Sequence, residues 1–239
     1  MRSEAASQMA PTILTDSASA GDPRLPTLVL VCKRPAPGVG KQRLAKTLGI
    51  NITYEIATQL LACATEDLAA WPGPIVVAPA RRRDVSWATT LLPGVRVHAQ
   101  GRGNLGQRLN RLDGELRARG HQSLVFIGSD APSLSSTDYE DVRRCLMSYD
   151  TVLIPARDGG VVLMASRRPW PDLGGLPWST GQLGQTLAQA CNRCGSLVVL
   201  PGGGFDIDEV DDLQRLANTL AGDRRPARQK LYRWLQSSM

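Results

Sequence analysis

The sequence predicts an α/β protein: one domain with a mostly parallel central sheet and helices on both faces. Three observations carry this. Short β-branched runs alternate with amphipathic stretches from residue 27 onward. Of the 239 residues, 42% are hydrophobic, enough to bury one sizeable core. The glycine-containing basic and acidic segments fall after strand-like runs, where parallel sheets of this class gather their loops.

In order, strands are expected at 27–32, 74–78, 95–99, 123–127, 151–155, 161–165 and 196–200. Helical periodicity runs through 54–70, 85–92, 105–119, 136–148 and 181–193, and 208–220 follows the last strand. Strands separated by helices imply parallel pairing. The runs at 151–155 and 161–165 leave no room for a helix between them, so an antiparallel excursion is expected there. Residues 1–26, rich in Ala, Ser, Pro and Asp, read as a flexible leader without apolar periodicity. The domain is expected to span 27–222. Residues 223–239 read as a basic C-terminal helix whose Leu231, Trp234 and Leu235 pack on the body.

Charge narrows the partners. Lys and Arg outnumber Asp and Glu 28 to 22, for a formal charge of +6, which suits an anionic ligand. Nucleic acid is disfavoured, because the cations are interspersed with acids and aromatics make up 5% of the chain. Five cysteines are an odd number, so a disulfide framework is not expected. Cys191-x-x-Cys194 lacks the second pair and the histidines of a structural zinc site. No run is long enough to cross a bilayer, and the N-terminus has no secretory h-region, which points to a cytoplasmic protein.

Four segments carry candidate chemistry. In the first, strand 27–32 runs into Lys33 and Arg34, then a Pro/Gly turn with Gly38 and Gly40 delivers Lys41 and Arg43 ahead of a helical pattern. Strand, glycine-rich basic loop, then helix is a way of holding nucleotide phosphates on backbone N–H groups and cations. The spacing is not that of a Walker A loop. A solvated basic turn is the alternative. In the second, Asp130 stands where the strand SLVFI breaks at a glycine; a carboxylate there can hold Mg²⁺ while phosphate oxygens and water complete the octahedron. A turn or capping Asp is the alternative.

The third is Phe205-Asp206-Ile207-Asp208. In an extended segment Asp206 and Asp208 share a side and could close on the same cation as Asp130, unless Asp208 is used as a helix cap. The fourth is the 100–108 loop. Its Gly103 and Gly106 would let a base lie against the backbone, and Asn104 offers a donor and an acceptor to a base edge; a generic tight turn reads equally well. Between two strands, Arg157-Asp158-Gly159-Gly160 reads as a hairpin-like turn in which Asp158 could orient a substrate hydroxyl.

Taken together, these segments resemble one family. RPAPGVGKQRLAKTLG resembles the R-x-P-x-P-G-x-x-K-T-R-L signature of the DUF2064 family, a radical-SAM- and arsenosugar-associated transferase group. GSDAPSL, PARDGGVVLMASRRP, LPWSTGQLGQTL and FDIDEVDDL resemble its following segments in order, from about residue 27 to 216. That family is similar to nucleotide-diphospho-sugar transferases of the glycosyltransferase A fold, a Rossmann-like architecture. The resemblance implies phosphate binding by Lys41 and Arg43 and a metal at Asp130, completed by Asp208 and Asp206. It also implies a base near 100–108, and substrate contacts at Asp158, Gly159, Gly160, Trp178, Ser179 and Thr180. Gln42, Asn104 and Val161 depart from its usual Thr, Asp and Tyr; the last weakens the carry-over of acceptor recognition.

The expected activity is therefore Mg²⁺- or Mn²⁺-dependent transfer from a nucleotide-activated substrate, with glycosyl transfer from an NDP-sugar to a small-molecule acceptor first. Nucleotidyl transfer from an NTP to a phosphorylated acceptor, releasing pyrophosphate, is the alternative, since a triphosphate needs the extra cations of Lys41-x-Arg43. A non-catalytic nucleotide-binding protein is a third reading.

Overall fold

A computed structural model of the chain describes residue 22, residues 24–202 and residues 204–238. Most of the expected leader lies outside the described residues. Its last part is tied to the body: the Asp22 N–H donates to the Pro72 carbonyl at 3.0 Å, and Trp71 Nε1 donates to the Pro26 carbonyl at 2.8 Å.

Seven strands form one sheet: β1 (Thr27–Cys32), β2 (Ile75–Pro79), β3 (Arg96–Val97), β4 (Leu124–Gly128), β5 (Thr151–Pro155), β6 (Val161–Ser166) and β7 (Leu197–Val199). Their order is β3-β2-β1-β4-β6-β5-β7. Every pairing is parallel except those of β6, which runs antiparallel to both β4 and β5. The expected excursion is thus the β5–β6 pair. β3 shrinks from five residues to two, because at the sheet edge Arg96 is exposed and pairs with β2 alone.

The helices are α1 (Gln42–Leu48), α2 (Ile50–Ala70), α3 (Val85–Ala88), α4 (Leu105–Ala118), α5 (Ser136–Cys145), α6 (Leu183–Asn192), α7 (Val210–Leu220) and α8 (Pro226–Ser238). The helical pattern expected after the basic loop divides into two helices, α1 and α2. Gly49, at φ 83° and ψ 164°, breaks the helical path, so α1 and α2 form two axes instead of one. The expected helix at 85–92 is one turn, preceded by a 3-10 turn at Arg82–Asp84. No helix among the described residues is long and apolar enough to cross a membrane.

Period-two alternation decides the two faces of the sheet. Leu28, Leu30 and Cys32 of β1 join a core with Leu61 and Leu68 of α2 and Val142 of α5. Val29 points the other way, into a core with Leu109, Leu112 and Leu116 of α4 and Leu187 of α6. A third core lies among α1, α2, α7 and α8, where Leu44, Leu60, Leu216, Leu231 and Leu235 enclose Phe205 and Ile207. The expected packing of the C-terminal helix follows from Leu231 and Leu235. Two cations of this segment, however, turn inward: Arg228 of α8 is fully buried, and Arg225, just ahead of α8, reaches Asp67.

The chain leaves β1 toward β2 on one side, while β4 pairs on the other. Such a reversal opens a crevice beyond the carboxyl ends of the strands.

Candidate active site

A cleft of 460 Å³ occupies that crevice. Lys33, Arg34, Gly40 and Lys41 reach it from the loop after β1, Asp130 from the loop after β4, and Asp206 and Asp208 from the segment after β7. Trp178 and Ser179 line it ahead of α6.

Asp130 and Asp208 converge as expected, and what joins them is Lys41. Its Nζ lies 3.3 Å from Asp130 Oδ2 and 3.5 Å from Asp208 Oδ1. Burial works against the Lys41 charge, but Asp130, Asp208 and Asp206 outweigh it and hold the ammonium above the ordinary lysine value. Burial, then the Asp130 carboxylate, pushes Asp206 up to about 8 against the pull of Lys41. Asp208 is free for this role because α7 is capped by Glu209 and Asp212 in a reciprocal box. The cap of α5 is Ser135 with Asp138, which likewise leaves Asp130 unused.

Could these carboxylates hold a metal? Mg²⁺ is usually bound through one or two protein carboxylates, with substrate phosphates and water filling the remaining positions. Two oxygens meeting at one ammonium, with a third carboxyl beside them, fit that donor set. Among the described residues no group of three or more His, Cys, Asp or Glu side chains forms a self-sufficient metal cage.

Two residues on the cleft wall carry backbone strain. Lys41 (φ 47°) and Ser179 (φ 64°) are in left-handed conformations that side chains with a Cβ seldom adopt. Such outliers cluster at functional sites, where surrounding structure holds them in place.

Several expected positions turn out otherwise. Arg43 is exposed, points away from the cleft and pairs with Glu209 at 3.4 Å. Asn104 is committed to structure: its Oδ1 accepts from the Gln107 N–H at 2.9 Å as the cap of α4, and its Nδ2 donates to the Gly174 carbonyl at 2.9 Å. A base edge would have to break both. Gly106 serves packing, since a Cβ there would run into the Leu173 carbonyl. Gly103 turns against the Gln107 side chain of the same cap.

At the β5–β6 turn, Asp158 Oδ1 accepts from the Gly160 N–H at 2.9 Å, so that oxygen closes the turn. Gly159 lies against the Gly181 backbone and accepts from the Gly184 N–H at 2.7 Å, docking the turn on the start of α6. Thr180 Oγ1 donates to the Pro177 carbonyl and lies outside the cleft lining. Gly38 lines a neighbouring cavity instead.

The sequence reading missed Arg108 and Gln100. Gln100 is 2% exposed; its Nε2 donates to the Ala78 carbonyl at 2.6 Å, and its Oε1 accepts from Arg108 Nη1 at 2.7 Å. This fixes the Arg108 guanidinium in the cleft wall, where burial lowers its pKa. A signal was present: Arg108 sits in the first turns of α4, where a cation opposes the helix dipole and calls for an anion. The neighbouring cavity, of 790 Å³, is lined by Lys33, Arg34, Arg81, Arg83 and Arg108, with Asp84 as the acidic residue.

This fold is that of nucleotide-diphospho-sugar transferases and cytidylyltransferases. A Desulfovibrio desulfuricans protein, provisionally described as a nucleotide-diphospho-sugar transferase, superposes with a TM-score of 0.78 at 22% identity, over 88% of this chain and 95% of its own. A cytidylyltransferase from Leptospira borgpetersenii gives 0.52 at 12% identity, over 89% of this chain and 94% of its own. The 4-diphosphocytidyl-2C-methyl-D-erythritol synthase of Anaerococcus prevotii gives 0.51 at 11%, over 88% and 96%. No protein of curated function matches the chain. Residues 60–180 match the family described as "Uncharacterized protein conserved in bacteria (DUF2064)". The chain belongs to the DUF2064 family.

Proposed function

We propose that the protein is a Mg²⁺-dependent transferase acting on a nucleotide-activated substrate, moving a glycosyl group from an NDP-sugar to a small-molecule acceptor. The observation that carries this is the meeting of Asp130, Asp208 and Asp206 with Lys41 at the mouth of the cleft where the strand order reverses. The likeness in fold to the Desulfovibrio protein agrees with it.

In this reading Asp130 and Asp208, with Asp206 beside them, hold Mg²⁺, which would neutralise the diphosphate as it departs. Lys33, Arg34, Lys41 and Arg108 supply the remaining positive charge along the cleft. Gln100 keeps the Arg108 fork aimed inward, so this charge is positioned before substrate arrives. Trp178 gives the wall an aromatic surface, its Nε1 satisfied by the Leu173 carbonyl at 2.7 Å. The acceptor hydroxyl oxygen bonds to the anomeric carbon and gives up its proton to solvent, the bond to the diphosphate oxygen breaks, and the nucleoside diphosphate leaves with that electron pair.

One observation favours nucleotidyl transfer as a second reading. The cation-lined cavity shares Lys33, Arg34 and Arg108 with the cleft, and suits the extra charge of a triphosphate. Incubation with Mg²⁺ and panels of NDP-sugars and NTPs decides between them. Free nucleoside diphosphate from an NDP-sugar supports the first reading. Pyrophosphate formed only from an NTP plus a phosphorylated acceptor replaces it with the second. Asp130→Asn should abolish either turnover with its melting temperature nearly unchanged. Full activity in that variant would refute the metal role of Asp130, and no turnover with any donor would favour a binding protein.

A further inference from the structure

Lys41 stands where one would look for the ion. Among the described residues no other cation reaches Asp130 or Asp208. Its contacts of 3.3 and 3.5 Å exceed the roughly 2.7–2.9 Å of a tight charged hydrogen bond, so the ammonium lies between the two carboxylates without locking onto either. The lysine side chain is 11% exposed, against 39% and 49% for the two acids. It therefore approaches from the protein side and leaves the carboxylates open to solvent. Its left-handed backbone, at φ 47° and ψ 43°, is an energetic cost that this placement has to offset.

We propose that Lys41 is an internal counter-cation that competes with the divalent ion for Asp130 and Asp208, so that the ion enters only as Lys41 leaves. The proposal rests on the metal-dependent reading above. Mg²⁺ takes its oxygens at about 2.0–2.1 Å, so an ion on the two oxygens that Lys41 contacts would lie against the ammonium, and the repulsion between the two cations drives the lysine out. Nucleotide phosphates entering beside Lys33 and Arg34 offer the displaced ammonium a new partner. Metal and nucleotide then bind cooperatively, each raising affinity for the other by the same factor. A buried lysine in this position also keeps three neighbouring carboxyls from repelling one another while substrate is absent.

Direct Mn²⁺ binding, read by the paramagnetic resonance of the free ion and without nucleotide, tests this on the full chain. Lys41→Met keeps the length of the side chain and removes its charge. Lys41→Gly suits the left-handed backbone and serves if the first variant melts early. Each should bind Mn²⁺ at least about tenfold more tightly than the parent, because the ion no longer has to displace a cation from the two carboxylates. Asp130→Asn should lose the binding. Equal or weaker affinity in both lysine variants, with parental binding still lost in Asp130→Asn, overturns the counter-cation and leaves the metal-dependent reading intact. No Mn²⁺ binding by any of them, with or without a nucleoside diphosphate, overturns both.

Discussion

Two charge clusters, one buried and one open on its cleft side, lie on either side of the loop that follows β4, and they are built on opposite rules. Around Arg228, which is fully buried, everything is paired. Its guanidinium donates to Asp67 Oδ2 at 2.7 Å, Glu66 Oε2 at 3.0 Å, the Cys63 carbonyl at 2.7 Å and the Pro132 carbonyl at 3.2 Å. Asp67 accepts further from the Tyr139 hydroxyl and Arg225 Nη1, each at 2.9 Å. Arg225 also donates to the Leu134 carbonyl at 2.8 Å. Around Lys41 one ammonium faces three carboxyls at longer range, and one of them, Asp206, is pushed up to about 8 by burial and by Asp130. A buried charge costs little when all its partners are present and a great deal when one is missing. The Arg228 cluster is closed and holds the loop at Pro132 and Leu134. The Lys41 cluster is open toward the cleft.

The largest effect expected from this contrast falls on stability. Arg228→Met leaves Asp67 and Glu66 without their main partner and should cost about 3–5 kcal/mol in denaturant unfolding. A loss below about 1 kcal/mol would mean that the network only decorates α8.

A smaller effect separates Lys41 from Arg43. At saturating Mg²⁺, Lys41→Ala should weaken nucleotide binding by roughly tenfold to a hundredfold, the range of one charged hydrogen bond. Arg43→Ala, exposed and paired with Glu209, should stay within about twofold, as surface ion pairs do. Calorimetry on both variants checks this. Equal losses would place Arg43 in the phosphate site after all.

The smallest effect is one of pH, at the opposite end of the sheet from the cleft. The Ser196 N–H, and next Arg167, hold Asp150 at about 2, below the ordinary carboxylate value of 3.8. A carboxylate held low in the folded state adds stability above its unfolded pKa, and that stability is lost as pH falls through the folded one. The stability gap between the parent and Asp150→Asn should therefore narrow as pH drops from about 5 to about 2. Urea midpoints across that range test it, and a gap independent of pH would show that the carboxylate charge contributes nothing there.

Much of the fold was legible because it depends on local pattern. The apolar runs at 27–32 and 151–155 became β1 and β5 with those bounds, since strands covered on both faces need continuous apolar sequence. The break at Gly49 was not foreseen, because apolar residues continue across it and only the backbone turn separates α1 from α2. The acid pair at Asp206 and Asp208 and its partner Asp130 were legible as carboxylates beyond strand ends. Asn104 misled, because a residue able to read a base is equally able to cap a helix, and the capping box with Gln107 decides which.

By itself, then, the sequence determined the α/β class, the position of the antiparallel excursion and the two acidic segments of the site. Each of these follows from periodicity, or from residue type beside a strand end. Tertiary structure alone decided that Lys41 lies between Asp130 and Asp208 while Arg43, two residues on, faces Glu209. It alone decided that Gln100 aims Arg108, and that a C-terminal arginine supports the loop that follows Asp130. These are contacts across 89 to 167 residues of chain for Lys41, and across 96 for Arg228 and Pro132. Local propensity carries no information about such distances; packing of the three cores brings the partners together, and the electrostatics of burial then fix which charges remain unmet.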